Sequence, residues 1–479
     1  MSPNPIPGGR RAVVLVAFVS LLGTLLMSGC LPESDLAAMV ESGAAYGESG
    51  GAKGSLPDPG DWWKNFDDAG LETLLKDLRS ENPGLKAALA RFDQSRAAFG
   101  VAESDFFPAF YGDGHAKRLR DTGNSRFVLP QLTYSQYRAA LNLNWELDLW
   151  GRVRKSVDAA RAEMEASAAD LDAAQLSLEA ELARNYYQWR FTNEELRVLD
   201  RTVDLRQENV DLVDARVRGG ETNQLDLDRA RTELEATRAQ KLQVERARAE
   251  LEHAIAVLVG EAPATFEFPG AAKHSGVGKV AVVPAGVPSD LLSRRPDVAA
   301  AESRLAAAAS RLGATKRSYL PTVTLTGLGG LQGVDTAKFF DPVSLFGEIG
   351  PQVQVPLFQG GRIVGDVERA DAEAREALAS YEEVVLGAFQ DVEDALSGIR
   401  FLDREIAAHD KAAEAAKSAA ALSRKRYEGG LVSYLEVVDA ERTALNEERE
   451  LIRARSTRHL ASVQLIQALG GGWAKAKAD

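Results

Sequence analysis

The chain has 479 residues, 45% hydrophobic and 27% charged, a balance that excludes wholesale disorder and leaves room for a large core. Lys and Arg total 57 against 70 Asp and Glu, giving −13 with no concentrated basic stretch, which argues against nucleic-acid binding. The single cysteine, Cys30, excludes an intrachain disulfide and any multi-cysteine metal site.

Arg10 and Arg11 precede an apolar run from Ala12 to Met27 that ends in Ser28-Gly29-Cys30, the pattern of a secretory signal peptide over residues 1–29. The run falls short of the roughly 20 residues that span a hydrocarbon core, so a permanent transmembrane anchor is the weaker reading. Small residues directly before Cys30 resemble a bacterial lipobox, in which the cysteine is lipidated and becomes the first residue after cleavage. Met27 stands where that motif usually carries Leu. This covalent lipid on Cys30 is the one non-protein group expected, with an ordinary signal peptide and an unmodified cysteine as the alternative. Residues 30–60 read as a tether, since Glu41 to Gly60 is rich in Gly, Ser and Pro.

The remainder is a duplication, residues 61–270 and 271–470, with a tail over 471–479. RVRGGETNQLDLDRA from Arg216 aligns with RYEGGLVSYLEVVDA from Arg426, an offset of 210 that also places Gly151-Arg152 on Gly361-Arg362. Further upstream the offset is 213, pairing Pro83 with Pro296 and Pro108 with Pro321.

Within each half the hydrophobic period changes in the same order. Leu141, Leu143, Trp145, Leu147 and Leu149 alternate with Asn142, Asn144, Glu146 and Asp148, which predicts a strand with one apolar and one polar face. Val323 and Leu325 among threonines, and Val353, Val355 and Leu357 alternating with Gln352 and Gln354, predict two more, and Phe106 to Gly112 a fourth. Each half thus carries a strand pair, over about 105–149 and about 320–358, joined by polar loops placed at Gly114 to Tyr134 and Gly330 to Phe346.

Proline-free helical stretches follow, Arg152 to Arg218 and Arg362 to Glu428. Leu182, Trp189, Leu196, Val203, Val210 and Val217 recur every seven residues in the first, and Leu378, Val385, Val392, Ile399, Ile406 and Ala413 in the second. Seven-residue spacing predicts a supercoiled seam against neighbouring helices. Each long helix ends at a glycine pair, Gly219-Gly220 and Gly429-Gly430, suited to the left-handed turn of a helix C-terminus. Return helices are expected from about Thr222 to Val259 and from about Ser433 to Leu469, so that the helices occupy about 152–259 and about 362–469. The fold class is therefore mainly α with a small β part, built of duplicated strand pairs and long helical hairpins. Four strands cannot close a barrel of useful radius, whereas two chains would supply eight and three would supply twelve.

VPSDLLSRRPDVAAAESRLAAAASRLGATKRSYLPTVTLTG from Val287, NWELDLWGRVR from Asn144 and RYEGGLVSYLEVVDAER from Arg426 together resemble the TolC-like outer-membrane efflux factors, in particular their NodT-type lipoprotein branch. The resemblance covers about Asp61 to Leu469. It implies a homotrimer with a twelve-stranded outer-membrane barrel continuing into a twelve-helix periplasmic tunnel. It also implies a periplasmic adaptor protein and an inner-membrane pump as partners, with the barrel embedded in outer-membrane lipid. By the same resemblance the tips at Gly219, Gly220, Gly429 and Gly430 meet the adaptor, although helix termination alone would explain glycine there.

Leu435, Asp439 and Arg442 are spaced by four and three, on one helix face. The resemblance matches them to the residues that narrow the periplasmic entrance. Three copies around an axis would set a ring of Leu beside Asp and Arg able to pair between subunits. A solvated helix face with an i,i+3 ion pair is the plainer alternative. The counterpart of Asp439 in the first half is Arg229, so the repeats differ there.

Arg295-Pro296-Asp297 reads as a helix start, and Trp62 and Trp63 as packing against the helices. Enzyme readings find little support: the five histidines show no metal-ligand spacing, and Gly327, Gly329 and Gly333 lack the helix a dinucleotide loop needs. Those glycines are expected in an outward hairpin of the barrel, and Glu163 and Asp170 on solvated surface. A lipid-tethered periplasmic scaffold or adaptor without a pore is the rival from another class.

Overall fold

The computed structural model describes residues 62–120, 122, 124, 133–268 and 294–472, all within the unit that begins at Ala44. The expected signal peptide, Cys30 and the tether lie outside the described residues, as does the tail beyond residue 472.

A single 3-10 turn, Trp62–Phe66, leads into α1 (Ala69–Glu81) and α2 (Pro83–Ser104). The strand pair β1 (Ala109–Arg120) and β2 (Thr133–Glu146) follows, then the helical hairpin α3 (Arg152–Arg218) and α4 (Gln224–Leu258). The second half repeats the order as α5 (Pro296–Lys316), β3 (Thr322–Gly333), β4 (Leu345–Gln354), α6 (Arg362–Glu428) and α7 (Tyr434–Ala468). Pro83 and Pro296 both stand in the first turn of α2 and α5, where a missing N–H costs nothing.

Helices α3 and α6 are each 67 residues long, about 100 Å at about 1.5 Å per residue. Each starts after a left-handed glycine, Gly151 at φ 76° and Gly361 at φ 86°. At α3 the carboxylate of Asp148 accepts the N–H groups of Val153 and Arg154, both at 2.9 Å, so an acid two residues beyond β2 caps the helix. The seven-residue seam buries Leu182, Trp189, Leu196 and Val210 of α3 and Val385, Val392 and Ala413 of α6.

One core gathers where the chain start meets α3: Trp62, Phe66, Leu71, Leu74, Leu75 and Leu78 pack on Leu182, Tyr186 and Tyr187. The Trp62 indole donates to Glu179 at 3.1 Å. Asp68 caps α1 and takes hydrogen bonds from Tyr186 at 2.8 Å and Arg190 at 2.5 Å, a buried ion pair satisfied on all sides. Arg295 does more than precede a helix start. It bridges Asp297 and Asp391 and reaches the Ala468 carbonyl, pinning α5 to α6 and to the end of α7. Glu163 and Asp170, expected on solvated surface, are ion-paired with Arg311 and Arg304 and so join α3 to α5.

The strands form one antiparallel sheet in the order β1-β2-β3-β4. Its register sets Phe110 opposite Leu143, Leu143 opposite Gly327 and Gly327 opposite Ile349, with Trp145, Leu325 and Pro351 in the row two residues on. The alternate row holds Tyr111, Asn142, Leu328 and Glu348, with the Asn142 amide donating to Asp113 at 2.6 Å. One face is therefore apolar and uncovered: Phe110, Leu141 and Ile349 are more than half exposed. No described strand pairs with the outer edge of β1 or of β4. Among the described residues no helix is long and apolar enough to cross a membrane.

Two expectations need correction. The polar loops are shorter than Gly114 to Tyr134 and Gly330 to Phe346, because β1 runs on to Arg120 and β3 to Gly333. Backbone pairing continues there although the side chains no longer alternate. Phe106 and Phe107 belong to the turn after α2, and the first strand starts at Ala109. Gly327, Gly329 and Gly333 lie, as expected, in a hairpin, on its first strand β3, which pairs antiparallel with β4. The neighbouring Gly330 shows why glycine gathers in this strand: a Cβ there would stand 2.2 Å from the Ala139 carbonyl oxygen of β2.

Candidate functional site

The two hairpin tips are built alike. The Gly220 N–H donates to the Val217 carbonyl at 3.1 Å and the Glu221 N–H to the Arg216 carbonyl at 2.8 Å. Gly430 to Tyr427 at 2.9 Å and Leu431 to Arg426 at 2.9 Å repeat the pattern. This is the Schellman closure, which needs one left-handed residue per tip. Gly220 at φ 74° and Gly430 at φ 71° fill that role. Gly219 and Gly429 have φ of −77° and −80°, so backbone geometry does not require glycine at either.

A cross-tie joins the tips. Arg216 donates to the Tyr427 carbonyl at 3.0 Å and the Glu428 carbonyl at 2.8 Å, with its guanidinium 4.6 Å from the centre of the Tyr427 ring. Its charge thus sits at the electronegative end of α6.

Leu435, Asp439 and Arg442 all lie on the exposed face of α7, while Val437, Val438, Glu441 and Leu445 turn inward. Asp439 and Arg442 form no ion pair with each other. Arg442 instead donates to Glu233 of α4 at 2.5 Å, and that contact raises its pKa above the ordinary guanidinium value. The other Glu233 oxygen lies 3.0 Å from Arg206 of α3. Arg206, nearly fully buried, also reaches the Glu233 carbonyl at 2.7 Å and the Thr237 hydroxyl. Its pKa is lowered by burial, against the pull of Glu233 and Glu441. Beside it Asn209 donates to both oxygens of buried Glu441 at 3.0 Å. Burial raises the Glu441 pKa, opposed by the Asn209 hydrogen bond and by Arg206. Arg424 of α6 adds a contact to Glu208 at 3.1 Å.

Behind the exposed triplet, then, stands a buried polar layer of Arg206, Asn209, Glu233 and Glu441 that ties α3, α4 and α7 together one turn above an apolar cluster of Val213, Leu227, Leu234, Tyr427, Tyr434 and Val437. Sequence reasoning passed over these four. The signal was present for one of them: Leu199, Arg206 and Val213 are spaced by seven, so Arg206 is a charge inside an apolar seam.

Matched 67-residue helices ending in matched tips, on a sheet that exposes one apolar face and both edges, form the architecture of a membrane duct with a long helical extension. The sequence matches the outer membrane efflux protein family over residues 74–261 and 287–471. The chain belongs to that family. It is similar to the solvent efflux pump outer membrane protein SrpC of Pseudomonas putida, 29% identical with 95% of this chain and 97% of that protein covered. The probable outer membrane lipoprotein SilC of Salmonella typhimurium is 27% identical over 88% of this chain and 90% of its own length. Among solved structures, the outer-membrane channel OprN superposes with a TM-score of 0.85 at 29% identity, covering 90% of this chain and 97% of that one. The efflux protein is thus an outer-membrane channel component of an efflux system, of TolC-like fold, in a transport family and not an enzyme family.

Proposed function

We propose that three copies of the chain close a twelve-stranded barrel and a twelve-helix tunnel, through which a solute delivered by an inner-membrane pump leaves the cell. The observation that carries the trimer is the sheet. Four strands with one uncovered apolar face and two unpaired edges satisfy their backbone in lipid only when further chains complete the ring. Strands of 10 to 14 residues are long enough to cross a hydrocarbon core at the usual tilt.

Leu435, Asp439 and Arg442 form the periplasmic gate in this reading. Arg442 held on Glu233 keeps α7 close to α4, and three Asp439 carboxylates gather near the axis. The tips at Gly219, Gly220, Gly429 and Gly430 meet a periplasmic adaptor, and the glycines that geometry does not require, Gly219 and Gly429, leave backbone accessible to it. Cys30 carries a lipid that fixes the chain to the membrane while it folds, a reading supported by the lipoprotein SilC.

Native mass and single-channel conductance of the detergent-solubilised protein in a planar bilayer test the duct. A trimer with discrete conductance steps is the expected result. A monomer extracted without detergent would overturn it in favour of a tethered scaffold.

A further inference from the structure

We propose that Arg426 caps the end of α3 in a second copy of this chain, making between subunits the contact that Arg216 makes within one. The proposal rests on the trimeric reading above and adds to it a specific subunit junction at the tips.

The two tips are copies of one repeat. Adding 210 to Arg216 gives Arg426, and subtracting 210 from Tyr427 and Glu428 gives Val217 and Arg218. The local backbone is equivalent too, since both tips close with the same pair of hydrogen bonds and the same left-handed glycine. Within one chain, Arg216 of the first repeat reaches forward to the last carbonyls of α6 in the second. In a ring of alternating first and second repeats, the same step taken from the second repeat arrives at the first repeat of the next subunit. Arg426 then faces the carbonyls of Val217 and Arg218.

In a single chain the Arg426 guanidinium and the Arg218 carbonyl are unfilled, and the Val217 carbonyl meets only backbone N–H groups of its own tip. The Arg426 side chain is exposed and has no hydrogen bond or ion pair among the described residues, whereas that of Arg216 has several. No donor of the same chain among the described residues reaches the Arg218 carbonyl, the position where Glu428 receives Arg216. A helix C-terminus carries partial negative charge and unpaired carbonyls, and a guanidinium supplies several planar donors to them. The acceptors are backbone groups, so the contact survives the divergence of side chains between the repeats. By contrast, Asn209 and Glu441 have Ala419 and Arg231 as counterparts, so the buried layer cannot recur at the subunit boundary. The Tyr427 ring under Arg216 corresponds to Val217, which leaves the intersubunit contact without its aromatic partner. The boundary between subunits therefore lacks two of the ties that join the repeats within one chain, the Asn209–Glu441 pair and the ring under the guanidinium.

The test uses cysteine pairs in the full-length, membrane-extracted protein. Arg426→Cys with Arg218→Cys, treated with a short thiol cross-linker, is expected to give dimer and trimer bands in denaturing gels. Arg216→Cys with Glu428→Cys should cross-link inside one chain and give no ladder, and each single variant sets the background from Cys30. In parallel, Arg426→Ala should speed amide exchange at Gly220 and Glu221 severalfold, with Arg426→Lys restoring part of the protection. A wild-type trimer whose 426/218 pair gives no ladder overturns this proposal and leaves the trimer standing. So does unchanged exchange at Gly220 and Glu221 in Arg426→Ala. A wild-type monomer overturns the trimeric reading itself, and this junction with it.

Discussion

The Glu233 carboxylate lies 2.5 Å from Arg442 and 3.0 Å from Arg206, so one acid on α4 holds an exposed arginine of α7 and a buried arginine of α3. The outer arginine can leave without exposing an unpaired buried charge, because the inner one keeps the acid neutralised. The pair is thus suited to be a latch, with its free end at Arg442 and its fixed end at Arg206.

That asymmetry separates two variants. Replacing Asp439 and Arg442 together by Ala should raise single-channel conductance with little loss of thermal stability, since both side chains are exposed. Glu233→Ala should also raise conductance but lower the unfolding temperature by several degrees, because it leaves Arg206 buried without its carboxylate, a loss of about 3 kcal/mol. Conductance unchanged in the double variant would remove Asp439 and Arg442 from the gate.

Glu441 gives the same layer a pH dependence. Burial raises its folded-state pKa above that of the unfolded chain, so the folded state holds the proton more tightly. Its contribution therefore weakens stability as pH rises from the ordinary carboxylate range through the raised value, and the penalty is relieved on acidification. Glu441→Gln keeps a hydrogen-bond acceptor for Asn209 and removes the charge. It should raise the unfolding temperature at neutral pH, with the gain shrinking toward pH 4.5, the ordinary carboxylate value. A gain that stays constant across that range would show that Glu441 is not the titrating group.

Much of this fold is legible in the sequence because its strongest signals are long. Two proline-free stretches with seven-residue spacing leave little freedom in reading α3 and α6, and the repeat at an offset of 210 checks one half against the other. The outer ends of the strands are not legible. His115-Ala116-Lys117-Arg118-Leu119-Arg120 shows no apolar alternation, yet pairs through its backbone with Thr133 to Arg138. Leu435, Asp439 and Arg442 could be set on one helix face by spacing alone. The partner of Arg442 could not, since Glu233 lies in the other hairpin and only packing of α4 beside α7 brings it near. Asn209 and Glu441, 232 positions apart, are hidden for the same reason.

The glycine pairs divide cleanly. Gly220→Ala or Gly430→Ala forces a Cβ into left-handed backbone at a cost of about 1 kcal/mol and should loosen its tip, visible as faster amide exchange there. Gly219→Ala meets only ordinary contacts, the nearest the Ala215 carbonyl oxygen at 3.5 Å, and should leave tip exchange unchanged. If Gly219→Ala then weakens capture of the adaptor in a pull-down, glycine is there for docking. If capture is intact, residue 219 has no docking role.

In the sheet, Gly330 and Gly350 provide a matched pair for the barrel. A Cβ at Gly330 would stand 2.2 Å from the Ala139 oxygen and 2.6 Å from the Ala140 Cα, both backbone atoms that move only if β2 and β3 separate. A Cβ at Gly350 meets nothing within 4 Å. Gly330→Ala should therefore break the pairing of Ala140 with Gly330, reduce the heat-resistant oligomer in outer-membrane extracts and lower conductance events in proportion. Gly350→Ala should give wild-type amounts of both. Equal oligomer yields from the two variants would mean that β2 and β3 are not in the register that brings Gly330 against Ala140.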